Sequence, residues 1–141
     1  MKGLVRWQGD VRFEGVSESG HLISMDGPPD KGGQDAGARP MELILLGLGG
    51  CASFDVITIL KKARQSVTDC EVSLTAERAD SVPAVFTEIQ LHFVVTGFAL
   101  AQKHVERAIA LSAKKYCSAS QMLVAGGVSI SESFEIREAE G

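Results

Sequence analysis

A long and nearly uncharged apolar segment limits what this chain can fold into. The stretch Leu43–Phe54 contains no charged residue. Pro40 suits the first turn of a helix, and the cations between positions 61 and 64 suit its last turn, where the helix dipole favours positive charge. We therefore predict one helix over residues 40–65. Because this helix is apolar nearly all round, other elements must surround it, and we expect it at the centre of the core and of a dimer.

The composition is that of one packed domain, and it argues against several classes of function. The chain has 141 residues, of which 45% are hydrophobic and 23% charged, so we expect a single domain over residues 1–141. A net charge of −4 offers no basic surface for nucleic acid. The apolar stretch is too short to span a bilayer, and the first residues show no signal-type apolar run. We expect a cytoplasmic protein that binds neither nucleic acid nor a membrane.

Alternating patterns before the helix predict strands. Residues 3–14 alternate loosely and are broken by Gly9-Asp10, which indicates a hairpin. Residues 21–26 form a third short strand, so residues 1–27 hold the N-terminal strands. The glycines and prolines of residues 28–39 predict a loop that could move or cover a site.

Residues 70–141 are predicted to form two strands, two helices and a last strand. In chain order these elements are strands over 71–78 and 88–96, a helix over 100–115, a helix that begins at a Ser118 cap and ends at Gly126, and a strand over 128–137. The order βββ-α-ββ-αα-β defines the fold class as α+β, with a long central helix that carries the first cysteine.

The cysteines and histidines predict free thiols and no bound metal or cofactor. The three cysteines are odd in number and widely spaced, which argues for thiols in a reducing compartment. Neither they nor His21, His92 and His104 have the spacing of metal ligands. Since His92 and His104 are expected on solvent-facing sides of their elements, a hydrolase built on a cysteine and a histidine is disfavoured.

Cys51 lies in the predicted helix directly after a glycine-rich stretch. Gly47, Gly49 and Gly50 precede it, and each glycine inside a helix costs about 1 kcal/mol relative to alanine. Such glycines allow another backbone, a helix or a ligand to approach closely. Cys51 is then either a small buried thiol at a helix crossing or a reactive thiol beside a hollow.

Asp55 lies one turn after Cys51, where its charge disfavours the thiolate. A reactive Cys51 therefore needs an arginine nearby. The candidates are Arg12, Arg39 and Arg64. Glu42, in the first turn of the helix, is stabilised by the helix dipole. A continuous helix places it on the face opposite Cys51, so only an irregular helix start or a partner chain could bring it to the sulfur.

Cys117 stands just before the predicted Ser118 cap, with Lys114 and Lys115 within one turn. Free N–H groups at a helix N-terminus and nearby cations lower the pKa of a thiol, so one interpretation is an available thiolate. The alternative is a core cysteine at a helix junction. Cys70, which we place at the start of a strand without an adjacent cation, is predicted to be structural.

Three short motifs occur in a fixed order along the chain: Pro40-Met41-Glu42-Leu43, Gly49-Gly50-Cys51 and Tyr116-Cys117-Ser118. Together they resemble the OsmC/Ohr superfamily of osmotically inducible and organic hydroperoxide resistance proteins. The YhfA-like branch is the most similar, through Ser19-Gly20-His21, Asp69-Cys70-Glu71-Val72 and Leu91-His92-Phe93.

The resemblance implies an intertwined homodimer with active sites at its interface. It implies that Cys51 attacks an organic hydroperoxide and becomes a sulfenic acid, and that Cys117 condenses with it to a disulfide that an external dithiol reductant reopens. By the same resemblance Arg12 keeps Cys51 ionised and Glu42 orients Arg12. Two other functions stay open: a non-catalytic dimer that binds a small apolar ligand, and a redox sensor that forms the disulfide without turnover.

Overall fold

The chain divides into two units, residues 1–44 and 45–141, in a computed structural model that describes every residue from Met1 to Gly141. The long helix α1, Pro40–Lys62, contributes its first turn to the first unit and the rest to the second.

The first unit is built on a three-stranded antiparallel sheet in the order β1-β2-β3. Its strands are β1 Gly3–Trp7, β2 Phe13–Ser17 and β3 Leu22–Met25. The turn between β1 and β2 has positive φ angles of 98° at Gly9 and 48° at Asp10, and the Gln8 N–H donates to the Arg12 carbonyl at 2.8 Å across it. The predicted hairpin is confirmed.

The loop after β3 is held by Asp26, which is 3% exposed. Its carboxylate accepts backbone N–H bonds from Gly27, Gln34 and Ala36 at 2.8, 3.0 and 3.1 Å. Burial opposes ionisation of this carboxyl, but the three N–H groups and the charge of Arg12 outweigh burial and lower its pKa. A short 3-10 turn at Pro29–Lys31 interrupts the predicted loop.

Helix α1 ends at Lys62, three residues before the predicted end at 65. Arg64 adopts a left-handed conformation with φ of 58°. Its N–H donates to the Lys61 carbonyl at 3.0 Å, and the Gln65 N–H donates to the Leu60 carbonyl at 3.0 Å. This pair of bonds closes a helix C-terminus in the Schellman arrangement, here with arginine where glycine is usual.

Within the single chain only one face of α1 is buried, and the expectation that elements of a second copy cover the rest stays a prediction. Leu48, Ala52, Val56 and Leu60 form the buried face and are 0–5% exposed. By length and composition alone the whole helix Pro40–Lys62 could cross a membrane. The core helix of a soluble protein meets the same criteria.

The sheet of the second unit has the order β4-β5-β6. Its strands are β4 Ser66–Arg78, β5 Phe86–Phe98 and β6 Ser129–Glu138. β4 and β5 pair antiparallel, whereas β5 and β6 pair parallel, and a parallel pair needs a long crossover connection. β4 begins five residues before its predicted start at 71, because polar Ser66 and its neighbours pair with the end of β5.

The crossover contains helix α2, Gln102–Leu111, a π-helical turn at Ser112–Tyr116, and helix α3, Ser118–Ala125. The predicted helix over 100–115 is therefore divided, with its last part in the π-helical turn. Its predicted apolar face is confirmed, since Val105, Ala108 and Ile109 are 0–5% exposed.

Candidate functional site

Three side chains with sulfur or oxygen ligand atoms meet between α1 and the start of α3. The sulfurs of Cys51 and Cys117 and a carboxylate oxygen of Asp55 all lie within 4.8 Å of one another. Cys51 and Asp55 are one turn apart on α1, a spacing that puts their side chains on neighbouring parts of one helix face. The structure thus brings together the two cysteines that the sequence singled out.

Cys117 lies at the junction where the π-helical turn after α2 ends and α3 begins. Its backbone N–H donates to the Ser112 carbonyl at 2.9 Å, and its φ and ψ of −73° and 102° are extended. Cys117 is itself the N-cap of α3, since its sulfur accepts the Ser120 N–H at 3.4 Å. The predicted Ser118 cap is wrong by one residue: Ser118 is the first residue inside the helix.

Burial raises the pKa of the Cys117 thiol to about 11, and a hydrogen bond to Cys51 and the charges of Cys51 and Asp55 act in the same direction. The Ser120 N–H lowers it by a smaller amount. Of the two interpretations, the lowered pKa is wrong and the core cysteine at a helix junction is confirmed. The expected N–H bond is present, but the residue is 0% exposed, and loss of hydration outweighs one weak bond to sulfur. Cys117 is a neutral thiol at pH 7.

Ser112 is a site residue that sequence reasoning missed. It is 1% exposed, and its hydroxyl lies in donor position to the Ala52 carbonyl at 3.1 Å and to Asp55 Oδ2 at 3.3 Å. The hydroxyl therefore ties the π-helical turn to α1 and orients the Asp55 carboxylate. The available signal was a serine on the apolar face of the predicted helix, because a buried hydroxyl needs a partner.

The glycines before Cys51 have different surroundings. A Cβ at Gly49 would lie 2.8 Å from Leu74 Cδ1, so this glycine allows α1 to approach the sheet closely. A Cβ at Gly47 or Gly50 would meet nothing within 4 Å. The predicted close approach is confirmed at Gly49, whereas the other two glycines face open space in the single chain.

A cavity of about 440 Å³ is lined by residues of α1, α2 and the π-helical turn. The residues that line it on α1 are Asp55, Thr58, Ile59, Lys62 and Ala63. On the other side it is lined by His104, Arg107, Leu111 and Tyr116. Its wall combines apolar side chains with one carboxylate and several cationic or ionisable groups. His104, predicted to be a surface residue, is half-buried in this wall.

Arg12 and Glu42 lie in the first unit, where Glu42 has another partner. Glu42 Oε1 accepts the Arg39 N–H at 2.7 Å, which is the reciprocal half of a capping box at the start of α1. The Arg39 guanidinium binds the Asp35 carboxylate at 2.7 Å. Arg12 lines a small cavity with Asp26. Within this unit the structure brings Glu42 to Arg39 rather than to Arg12.

Cys70 and His92 lie on the second sheet. Cys70 is half-buried inside β4 rather than at the start of a strand, and burial raises the pKa of its thiol, with the charge of Asp69 adding to the effect. His92 Nδ1 lies 2.7 Å from the Ser133 hydroxyl on β6.

The α+β fold carries one cysteine on the long helix and a second at a later helix start. Together these features define an OsmC-like protein. The chain belongs to the OsmC-like protein family, whose family model matches residues 32–133. It is 47% identical over 136 residues to Protein YhfA of Escherichia coli strain K12, covering 96% of this chain and 98% of that protein.

Solved structures share the fold. The structure of a hypothetical protein from Aquifex aeolicus VF5 is 30% identical with a TM-score of 0.85, covering 99% of this chain and 97% of that one. An organic hydroperoxide resistance protein OsmC from Legionella pneumophila is 18% identical with a TM-score of 0.71, covering 95% of each chain. One from Elizabethkingia anophelis is 19% identical with a TM-score of 0.65 and 94% coverage of each. The last two show likeness of fold alone.

Proposed function

We propose that this protein reduces organic hydroperoxides with a thiol pair, Cys51 as the attacking thiolate and Cys117 as the resolving thiol. The observation that carries the proposal is that the two sulfurs lie within 4.8 Å of each other. Membership of the OsmC-like family supports it, as do neighbours in fold that are named organic hydroperoxide resistance proteins.

The reaction has three balanced steps. The Cys51 thiolate attacks the distal oxygen of ROOH, the O–O bond breaks, and the alkoxide takes a proton to leave as ROH, so that Cys51 becomes a sulfenic acid. The Cys117 thiol then displaces the hydroxyl of the sulfenic acid, forming a disulfide and water. A dithiol reductant, supplied by a reducing cytoplasm, exchanges with the disulfide and returns both cysteines to thiols.

The charged residues have distinct roles in the proposal. The proposal assigns stabilisation of the Cys51 thiolate to Arg12, from this chain or from a second copy. Glu42, whose Oε1 accepts the Arg39 N–H, would orient Arg12 through its other carboxylate oxygen. A carboxylate oxygen of Asp55 lies within 4.8 Å of the Cys51 sulfur. The Ser112 hydroxyl lies in donor position to Asp55 Oδ2 at 3.3 Å. This contact restricts rotation of the Asp55 carboxylate.

A homodimer is part of the proposal. Leu46 and Phe54 are 59% and 73% exposed on α1, and Gly50, one turn from each, faces open space. An apolar strip with a central glycine lets two helices approach closely. Sedimentation equilibrium is expected to give a dimer that Phe54→Glu dissociates. A monomer for the unaltered chain would overturn this part.

Turnover by the purified, reduced protein tests the reaction. We expect loss of cumene hydroperoxide to depend on a dithiol such as dihydrolipoamide and to exceed loss of hydrogen peroxide. Cys51→Ser should abolish turnover. Cys117→Ser should consume one equivalent of peroxide and stop at the sulfenic acid. Cys70→Ser is the matched control, because it removes the third thiol outside the site. Turnover that survives Cys51→Ser would overturn the proposal.

A second candidate, non-catalytic binding of a small apolar ligand, is favoured by the cavity of about 440 Å³ beside Asp55. It predicts that a fluorescent apolar probe binds with equal affinity to the unaltered chain and to Cys51→Ser, and that neither protein turns over peroxide. A chain that forms the disulfide with one equivalent of oxidant and then stops, even with dithiol present, would instead favour redox sensing.

A further inference from the structure

We propose that the reduced cluster of Cys51, Asp55 and Cys117 binds a thiophilic divalent cation such as Zn²⁺. The sequence predicts no metal site, because metal-binding motifs are recognised by ligands spaced closely along the chain. Here two ligands come from one turn of α1 and the third from the N-cap of α3. Only the packing of these elements brings the three ligand atoms within 4.8 Å of one another.

The distances suit a tetrahedral ion. With Zn–S bonds of about 2.3 Å and Zn–O bonds of about 2.1 Å, the ligand atoms around one zinc are about 3.6–3.8 Å apart. The three atoms therefore need to move together by about 1 Å at most. Rotation of the half-buried Cys51 and Asp55 side chains supplies such a movement without a change in α1.

Two of the three ligands are already oriented by hydrogen bonds. The Ser120 N–H donates to the Cys117 sulfur at 3.4 Å, and the Ser112 hydroxyl lies in donor position to Asp55 Oδ2 at 3.3 Å. Partners of this kind hold metal ligands in place and raise metal affinity. Asp55 then offers its other oxygen, Oδ1, to the ion.

Of the three ligands, Asp55 also lines the cavity of about 440 Å³. A water molecule on that side of the ion would be the fourth ligand. Two thiolates and a carboxylate around Zn²⁺ carry a net charge of −1, and Lys62 and Arg107 line the same cavity. The arrangement of three protein ligands and one open position is that of an accessible rather than a closed zinc site.

Binding displaces protons and competes with thiol chemistry. The neutral Cys117 thiol releases its proton to solvent when its sulfur bonds to the metal. A thiolate bonded to zinc is not free to attack a hydroperoxide, and a Cys51–Cys117 disulfide has no thiolate to offer a metal. Metal-bound and oxidised states are therefore mutually exclusive.

Cobalt titration tests the site directly. The full chain, reduced and desalted under nitrogen, is titrated with Co²⁺, and the sulfur-to-cobalt charge-transfer band in the near ultraviolet is followed. We expect one Co²⁺ per chain, displaced by one Zn²⁺, with at least one proton released per metal. Cys51→Ser and Cys117→Ser should each weaken Zn²⁺ binding more than about 100-fold, and Ser112→Ala about tenfold. Cys70→Ser should bind as the unaltered chain does.

Several results would overturn the proposal: no charge-transfer band, a band unchanged in Cys51→Ser, or a band lost in Cys70→Ser. Asp55→Asn should retain the band but bind more weakly, and equal affinity would remove Asp55 from the site. If Cys117→Ser does not fold, oxidation of the unaltered chain serves instead, and binding that persists in the disulfide form would refute the site. Peroxidase activity is assayed separately in metal-free protein, so either proposal can fail alone.

Discussion

The buried thiol of Cys117 should make the protein less stable in alkali. The folded state holds this thiol at a pKa of about 11, against an ordinary value of 9.0. Between these two values the unfolded chain releases the proton and the folded chain keeps it. Since the folded state then binds more protons, the free energy of unfolding falls as pH rises. The full contribution is present below pH 9 and is lost as pH approaches 11.

The size of the effect follows from the difference between the two pKa values. Each pKa unit corresponds to about 1.4 kcal/mol. Linkage then predicts a loss of about 1 kcal/mol by pH 10 and of roughly 2–3 kcal/mol above pH 11. Cys117 is 0% exposed, so solvent does not screen the free energy that corresponds to its raised pKa.

Urea unfolding of the reduced protein at pH 7, 8, 9 and 10 measures this loss. Cys117→Ser is the comparison, because serine keeps an acceptor for the Ser120 N–H but does not ionise in this range. Lysine and tyrosine titrations are common to both proteins and cancel. The free energy of unfolding of the unaltered chain, relative to that of Cys117→Ser, should fall by about 1 kcal/mol between pH 8 and pH 10. Parallel pH profiles for the two proteins would refute the argument.

The remaining predictions concern disulfide formation by Cys117, the buried hydroxyl of Ser112 and the Asp26 carboxylate that holds the loop after β3. Because the Cys117 thiol is neutral at pH 7, the rate of disulfide formation after a single addition of oxidant should rise by as much as about tenfold per pH unit between pH 7 and 9. Stopped-flow fluorescence measures this rate, and a rate that does not depend on pH would contradict the prediction. Ser112→Ala should cost about 1–2 kcal/mol in urea unfolding, whereas Ser118→Ala, at the wrongly predicted cap, should cost less than about 0.5 kcal/mol. The ionised Asp26 carboxylate stabilises the loop, so loop stability should fall as pH drops below 3.8 and Asp26 takes up a proton. Hydrogen exchange at the loop amides that Asp26 binds, corrected for the intrinsic rate, should then accelerate. Asp26→Asn should remove this pH dependence.

Local sequence patterns were enough to predict most elements of the fold. The Gly9-Asp10 hairpin, the buried alternation along β5 and the apolar face of α2 depend on residues near one another in the chain, and all three are confirmed. The element ends were less predictable. β4 extends back to Ser66 because β5 offers hydrogen-bond partners there, and no local pattern in the sequence records that pairing.

The sequence by itself singled out two candidate cysteines and the elements that carry them: Cys51 in a glycine-rich helix and Cys117 at a helix start. Tertiary structure alone decided that the two sulfurs and Asp55 meet within 4.8 Å, that Ser112 joins them, and that the Cys117 thiol is neutral. The reason is physical. Helix and strand patterns arise from neighbours along the chain, whereas the hydration of a thiol and the distance between two sulfurs depend on segments that only folding brings together.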